Sequence, residues 1–141
     1  MKNFIFLDHT ADIAVKLQAD SEENLFRAGI EAYKHIMFDG IPLTGNDSAA
    51  LYLSENSLEE LIAAFLNELN YMVSVKGWAV KNAESTRLIL EDGIWKFECI
   101  LSGGFLGEEY YPNYEIKAAA YHDIKIKESN GIYSITIIFD I

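Results

Sequence analysis

Two dipeptides in the second half of the chain, Asp92-Gly93 and Asn130-Gly131, each separate a pair of apolar-rich segments. Asp-Gly and Asn-Gly pairs supply the positive φ angles that the tight turns of β-hairpins require. They predict one hairpin that joins 86–91 to 94–101 and another that joins 121–128 to 132–139. Antiparallel sheet should therefore dominate this half of the chain, with a long irregular connection over 103–113.

The first half carries the signals of two helices. Ser21 can cap a helix that ends near Phe38, and Ser57 can cap a second helix that Lys76-Gly77 stops. Short strands are expected at 4–7, 13–18 and 49–53. With 141 residues, half of them hydrophobic, the chain is expected to form a single α+β domain over residues 1–141, with two main helices packed on a mostly antiparallel sheet.

The charge balance excludes several classes of function. The chain has 22 acidic and 11 basic residues, a net charge of -11, and no basic stripe, so strong direct binding to nucleic acid is not expected. A cation or a basic protein surface suits it better. No apolar run approaches the ~20 residues that span a membrane, so a cytoplasmic location is expected. The single cysteine, Cys99, is expected to be a buried, inert thiol.

Acidic residues lie near both ends of the chain. Residues 8–12, Asp-His-Thr-Ala-Asp, precede a predicted strand, and Asp140 follows the last one. If the two strands are antiparallel neighbours, Asp12, Asp140 and the carboxylate of Ile141 form an all-oxygen site suited to Ca²⁺, Mg²⁺ or Mn²⁺. The alternative is that Asp8 caps a turn, while Asp140 and Ile141 lie frayed in solvent.

Other candidate residues each have a structural and a functional interpretation. His9 could be a metal ligand, a base or a turn hydrogen-bond donor, and Lys117 could be a functional cation or a solvated strand lysine. His122 fits a partly buried position on a strand. The aromatic run 110–114 could form a contact surface or pack locally. Because nucleotide-binding, nucleophile-elbow and paired-cysteine motifs are absent, a non-enzymatic role is favoured.

Four segments of the chain, taken together and in order, resemble the archease family. They are residues 7–12, 65–69, 116–122 and 139–141, which read LDHTAD, FLNEL, IKAAAYH and FDI. Two positions depart from the family pattern: Ala120 stands where Thr is frequent, and Asn70 stands where an apolar residue is usual. The resemblance implies a small protein partner of the GTP-dependent RNA ligase that joins tRNA halves, an activator that is not itself a catalyst.

The resemblance also implies roles for individual residues. By position, Asp12, Asp140 and Ile141 correspond to the family's ligands for a divalent ion, taken in that family to be calcium, and Lys117 corresponds to a lysine linked to ligase activation. His9 adjoins this set and is a second candidate activation residue. Two other hypotheses stay open: a chaperone-like binding module that modulates a tRNA-modifying enzyme such as a tRNA methyltransferase, and a stand-alone metal-dependent hydrolase.

Overall fold

The computed structural model of the protein describes residues 2–7, 12–43, 45–121 and 125–141. These residues form two helices and eight strands. In order they are β1 (Lys2–Leu7), β2 (Asp12–Ala19), α1 (Glu22–Phe38), β3 (Asp47–Glu55), α2 (Leu58–Lys76), β4 (Trp78–Glu91), β5 (Ile94–Phe105), β6 (Ala118–Tyr121), β7 (Lys127–Ser129) and β8 (Ile132–Asp140).

The strands form two antiparallel sheets. The first sheet has the order β1-β2-β8-β6, and β7 also pairs with β8, while the second has the order β3-β5-β4. Helix α1 contacts β1, β2 and β8 of the first sheet and β4 of the second, and α2 contacts β6 of the first sheet and all three strands of the second. The helices therefore pack between the sheets. The predicted α+β class, a single domain of two helices and mostly antiparallel sheet, is confirmed.

Both predicted hairpin turns are present. Asp92 and Asn130 each have φ of 53°, and the glycines that follow them, Gly93 and Gly131, have φ of 79° and 81°. Two successive residues with positive φ are the conformation of a type I′ turn, which matches the right-handed twist of the paired strands. The first turn joins β4 to β5 and the second joins β7 to β8.

Side-chain caps begin both helices where the sequence predicts them. The Asn24 amide donates to the Ser21 hydroxyl at 3.1 Å, and the Glu60 amide donates to the Ser57 hydroxyl at 3.1 Å. Each bond satisfies one of the amides that a helix start leaves without an intrahelical partner. Gly77, with φ of 70°, ends α2.

The segment predicted as one strand over 121–128 differs in the structure. β6 ends at Tyr121, and β7 covers only Lys127–Ser129. The Ile126 amide donates to the Glu59 carboxylate at 3.1 Å, so α2 supplies the partner that a neighbouring strand would otherwise provide. The prediction for His122 lies outside the described residues.

β5 also extends further than predicted, to Phe105. Gly103 and Gly104 belong to this strand, and not to the irregular connection expected there. A Cβ atom on Gly103 would meet the Ala79 carbonyl, and one on Gly104 would meet the backbone of Gly45. These glycines therefore permit close backbone packing.

Aromatic side chains fill the core between α1, α2 and the second sheet. The rings of Phe26 and Phe97 stack with their centroids 3.8 Å apart, and Phe65 packs edge-on against both. Cys99 is buried beside this cluster, and burial raises the pKa of its thiol to about 11, which fits the inert thiol predicted from the sequence. No helix within the described ranges is long and apolar enough to cross a membrane.

Candidate functional site

The acidic residues from the two ends of the chain meet at one end of the first sheet. β2 and β8 are antiparallel neighbours, and their register places Asp12 directly opposite Asp140. Directly opposed residues in an antiparallel pair have Cβ atoms about 4.5–5.5 Å apart and side chains on the same face. The geometric condition that the sequence imposed on this site is therefore met.

The two aspartates lie on the outer face of the sheet. Side chains alternate between faces along a strand, and the neighbours of Asp140 in β8 that point inward, Ile137 and Phe139, are buried in the core. Asp140 is exposed and Asp12 is half-buried. Asp140 is the last residue of a paired strand, so the frayed alternative does not describe it.

Lys117 lies at the same end of the sheet. Its backbone amide donates to the Asp140 carbonyl at 2.7 Å, and the next residue, Ala118, is paired with Asp140 in the sheet. The Lys117 residue is exposed. The structure thus brings Asp12, Asp140 and Lys117 together, with Ile141 following directly after Asp140. His9 lies outside the described residues.

Two asparagines on α2 bind the chain on either side of Lys117. The Asn67 amide group donates to the Ala119 carbonyl at 2.9 Å and accepts from the Ala119 amide at 2.8 Å. Asn70 donates to the Ile116 carbonyl at 2.7 Å and accepts a hydrogen bond of 2.9 Å from the hydroxyl of Tyr33 on α1. These contacts were not predicted from the sequence, where the one indication of them was a polar residue at position 70 beside the apolar stripe of the helix.

Burial is deepest at the α1 end of this chain of bonds. Tyr33 has 0% of its surface exposed and Asn70 has 9%. Burial raises the pKa of the Tyr33 hydroxyl well above its usual value, because the charged phenolate would lose its hydration. The hydroxyl therefore stays protonated and can donate to Asn70 across the whole physiological pH range.

The aromatic loop 110–114, for which a contact surface and local packing were both predicted, is bonded in part to the end of α1. Asn113 packs at the end of α1, where its backbone amide donates to the Met37 carbonyl at 2.8 Å and its side chain donates to the Asp39 carbonyl at 3.0 Å. Tyr111 is 78% exposed and Tyr114 is also exposed. The loop is held by the helix and presents tyrosines to solvent.

The candidate metal donors that the structure describes at this end of the sheet are oxygen atoms. Among the described residues, no group of three or more His, Cys, Asp and Glu side chains is arranged to hold a metal ion. Within the described ranges, Asp12 and Asp140 supply two side-chain carboxylates here, and the carboxylate predicted at Ile141 would be a third oxygen ligand. An all-oxygen set suits Ca²⁺, Mg²⁺ or Mn²⁺ and disfavours zinc.

Comparisons with known proteins agree over nearly the whole chain. Residues 4–141 match the model of a family described as "Archease protein family (MTH1598/TM1083)". The protein archease of Methanosarcina mazei is 26% identical over 145 residues, covering 99% of this chain and 97% of its own. The protein archease of Pyrococcus abyssi is 29% identical over 129 residues, covering 91% and 90%.

Two solved structures share the fold. The solution structure of protein 1598 of Methanobacterium thermoautotrophicum superposes with a TM-score of 0.80 at 19% identity, covering 98% of each chain. The crystal structure of a Thermotoga maritima protein described as an archease and possible chaperone superposes with a TM-score of 0.63 at 24% identity, covering 96% of this chain and 94% of that one.

Proposed function

Because the chain belongs to the archease family, we propose that it is a protein cofactor of the GTP-dependent RNA ligase that joins tRNA halves and repairs RNA. In this proposal it promotes guanylylation of the ligase and repeated turnover, and it catalyses no reaction of its own. The partner is the ligase protein, met in the cytoplasm, and the chain makes no strong contact with RNA.

One observation carries this proposal: the register that sets Asp12 opposite Asp140. Ionised carboxylates at this separation repel each other, and a divalent cation between them offsets that repulsion. In the proposal Asp12, Asp140 and the Ile141 carboxylate hold the ion, with Ca²⁺ favoured and Mg²⁺ or Mn²⁺ as alternatives. When bound, the ion supplies a compact positive charge that can contact the phosphates of a nucleotide.

In this proposal Lys117 has two roles, one in positioning the end of β8 and one in contacting the ligase. The Lys117 amide donates to the Asp140 carbonyl, which ties the end of β8 to the segment that leads into β6. The exposed Lys117 ammonium would reach the partner next to the cation. The net charge of -11 favours approach to a basic surface, such as the nucleotide pocket of the ligase.

Purified ligase with GTP, Mn²⁺ and cleaved tRNA tests the proposal. The wild-type chain should increase both guanylylation and the number of turnovers. Asp12→Asn and Asp140→Asn should lose most of this stimulation. Asp92→Asn is the matched control, because it removes the same charge at the β4–β5 turn, where Asn also tolerates the positive φ of 53°. If the wild-type chain changes neither guanylylation nor turnover, the proposal is wrong.

The metal ligands can be tested without the ligase. Calcium binding to the isolated chain, measured by titration calorimetry, should weaken strongly in Asp140→Asn and persist in Asp92→Asn. A short extension after Ile141 should also weaken it, because the extension moves the carboxylate away. Lys117→Ala should keep calcium binding but lose ligase stimulation, which separates the ion site from the activating contact.

A second function is favoured by a different surface. Ile5, Phe6 and Leu7 are consecutive exposed apolar residues on β1. Ile5 and Leu7 share one face of this strand, and exposed apolar residues of this kind suit a chaperone-like binding module, with a tRNA methyltransferase as a candidate client. In that case Leu7→Ser should abolish protection of the methyltransferase from aggregation, and Asp12→Ala and Asp140→Ala should leave protection intact.

A further inference from the structure

Side chains from the helices bind the backbone of one edge strand in each sheet, but they do so in different ways. At the edge strand β4, Glu23 accepts from the Leu88 amide and Arg27 donates to the Ala83 carbonyl. At the edge strand β6, Asn67 pairs with both backbone groups of Ala119. An edge strand needs partners for its outward N–H and C=O groups. On β6, one amide side chain supplies both, in the way that a further strand would.

We propose that Asn67 and Asn70 are positioning residues for the activating end of the molecule. Together they bind three backbone groups of the segment 116–119, on both sides of Lys117. This segment in turn holds the end of β8, through the bond from the Lys117 amide to the Asp140 carbonyl. The two asparagines therefore set the place of Lys117 and of Asp140 relative to Asp12.

The hydrogen-bond path to the proposed ion site runs through both helices to the first sheet. It begins at Tyr33 in α1, passes through Asn70 in α2 to the Ile116 carbonyl, and continues along the backbone to Lys117 and Asp140. β6 is only four residues long, so its ladder with β8 is short. The bonds from α2 compensate for that short pairing.

The effect on cation binding rests on the proposed function, but the positioning of Lys117 does not. Asn67→Ala removes both bonds to Ala119. Because Asn67 itself is exposed, the variant should keep the fold. Amide hydrogen exchange then measures how firmly the Lys117 amide is held. Its exchange rate should rise about fivefold relative to that of the Leu101 amide in β5, since two hydrogen bonds from an exposed side chain together contribute roughly 1 kcal/mol.

Calcium affinity of the isolated chain gives the second measurement. Asn67→Ala should weaken it about fivefold. Asn67→Gln, which keeps an amide group that can donate and accept, should lose less than Asn67→Ala. Thr86→Val is the matched control, because it removes side-chain bonds to Glu23 and Arg27 at the β4 edge, remote from Lys117. It should change neither the calcium affinity nor the exchange of the Lys117 amide.

The outcomes separate this inference from the proposed function. If Asn67→Ala leaves the exchange of the Lys117 amide unchanged, or if Thr86→Val raises it equally, the positioning role is refuted. If the wild-type chain neither binds calcium nor stimulates the ligase, the proposed function fails, and the exchange of the Lys117 amide alone decides the positioning role. If exchange rises while calcium affinity is unchanged, the coupling to the ion site is refuted.

Discussion

The hydrogen bond between Tyr33 and Asn70 predicts that Tyr33→Phe lowers the stability of the wild-type chain but not that of a chain that already carries Asn70→Leu. In the wild-type chain, Tyr33→Phe removes the 2.9 Å bond and leaves the buried Asn70 oxygen without its donor. In an Asn70→Leu background, the Tyr33 hydroxyl is already without its partner. Removing the hydroxyl there should relieve the protein of a buried, unsatisfied polar group.

The magnitudes follow from burial and from the number of bonds lost. Tyr33→Phe breaks one buried bond and should lower the free energy of unfolding by about 1–2 kcal/mol. Asn70→Leu breaks two and leaves the Tyr33 hydroxyl and the Ile116 carbonyl unpaired, at a cost of about 2–4 kcal/mol. In the double variant only the Ile116 carbonyl is unpaired. The double variant should therefore be about 1–2 kcal/mol more stable than the sum of the single effects indicates.

Urea unfolding, followed by the fluorescence of Trp78 and Trp95, measures all four proteins of the cycle. Tyr33→Phe should destabilise the wild-type chain but be neutral or stabilising in the Asn70→Leu background. If Tyr33→Phe costs the same in both backgrounds, within about 0.4 kcal/mol, the two side chains are not energetically coupled and the reasoning fails.

Three further predictions concern stability. The native pKa of the Cys99 thiol is about 11 and the reference value is 9.0, so its contribution to stability is complete below pH 9 and is lost as the pH rises to about 11. Between pH 9 and 11 the free energy of unfolding, measured by denaturant titration, should fall by about 2 kcal/mol less in Cys99→Ala than in the wild-type chain. If the free energy of unfolding falls equally in both proteins, this prediction is wrong. Ser57→Ala should cost about 1 kcal/mol by removing the α2 cap, and an unchanged urea midpoint would exclude that role. Gly131→Ala should lower the free energy of unfolding by about 1–2 kcal/mol, because φ of 81° strains an L-residue. If the variant unfolds at the same temperature as the wild-type chain, this prediction is wrong.

Local features of this fold could be predicted closely from the sequence. The turn residues Asp92-Gly93 and Asn130-Gly131 adopt the expected backbone angles, and Ser21 and Ser57 accept the expected capping bonds. Each of these features depends on residues within three or four positions of one another. Where a distant residue supplies the partner, as Glu59 does for the Ile126 amide, the local prediction of a continuous strand was wrong.

The candidate site likewise has one part that the sequence predicts and another that depends on contacts between distant residues. The sequence alone determined that acidic residues precede one apolar strand and follow another, and that an ion site requires these strands to be antiparallel. Only the tertiary structure decided that Asp12 lies opposite Asp140 and that Lys117 binds its carbonyl. It also decided that Asn67 and Asn70 hold the segment around Lys117, because these bonds join residues 46–52 positions apart. Strand alternation specifies which residues share a face, but the packing of the helices between the sheets specifies which distant groups meet.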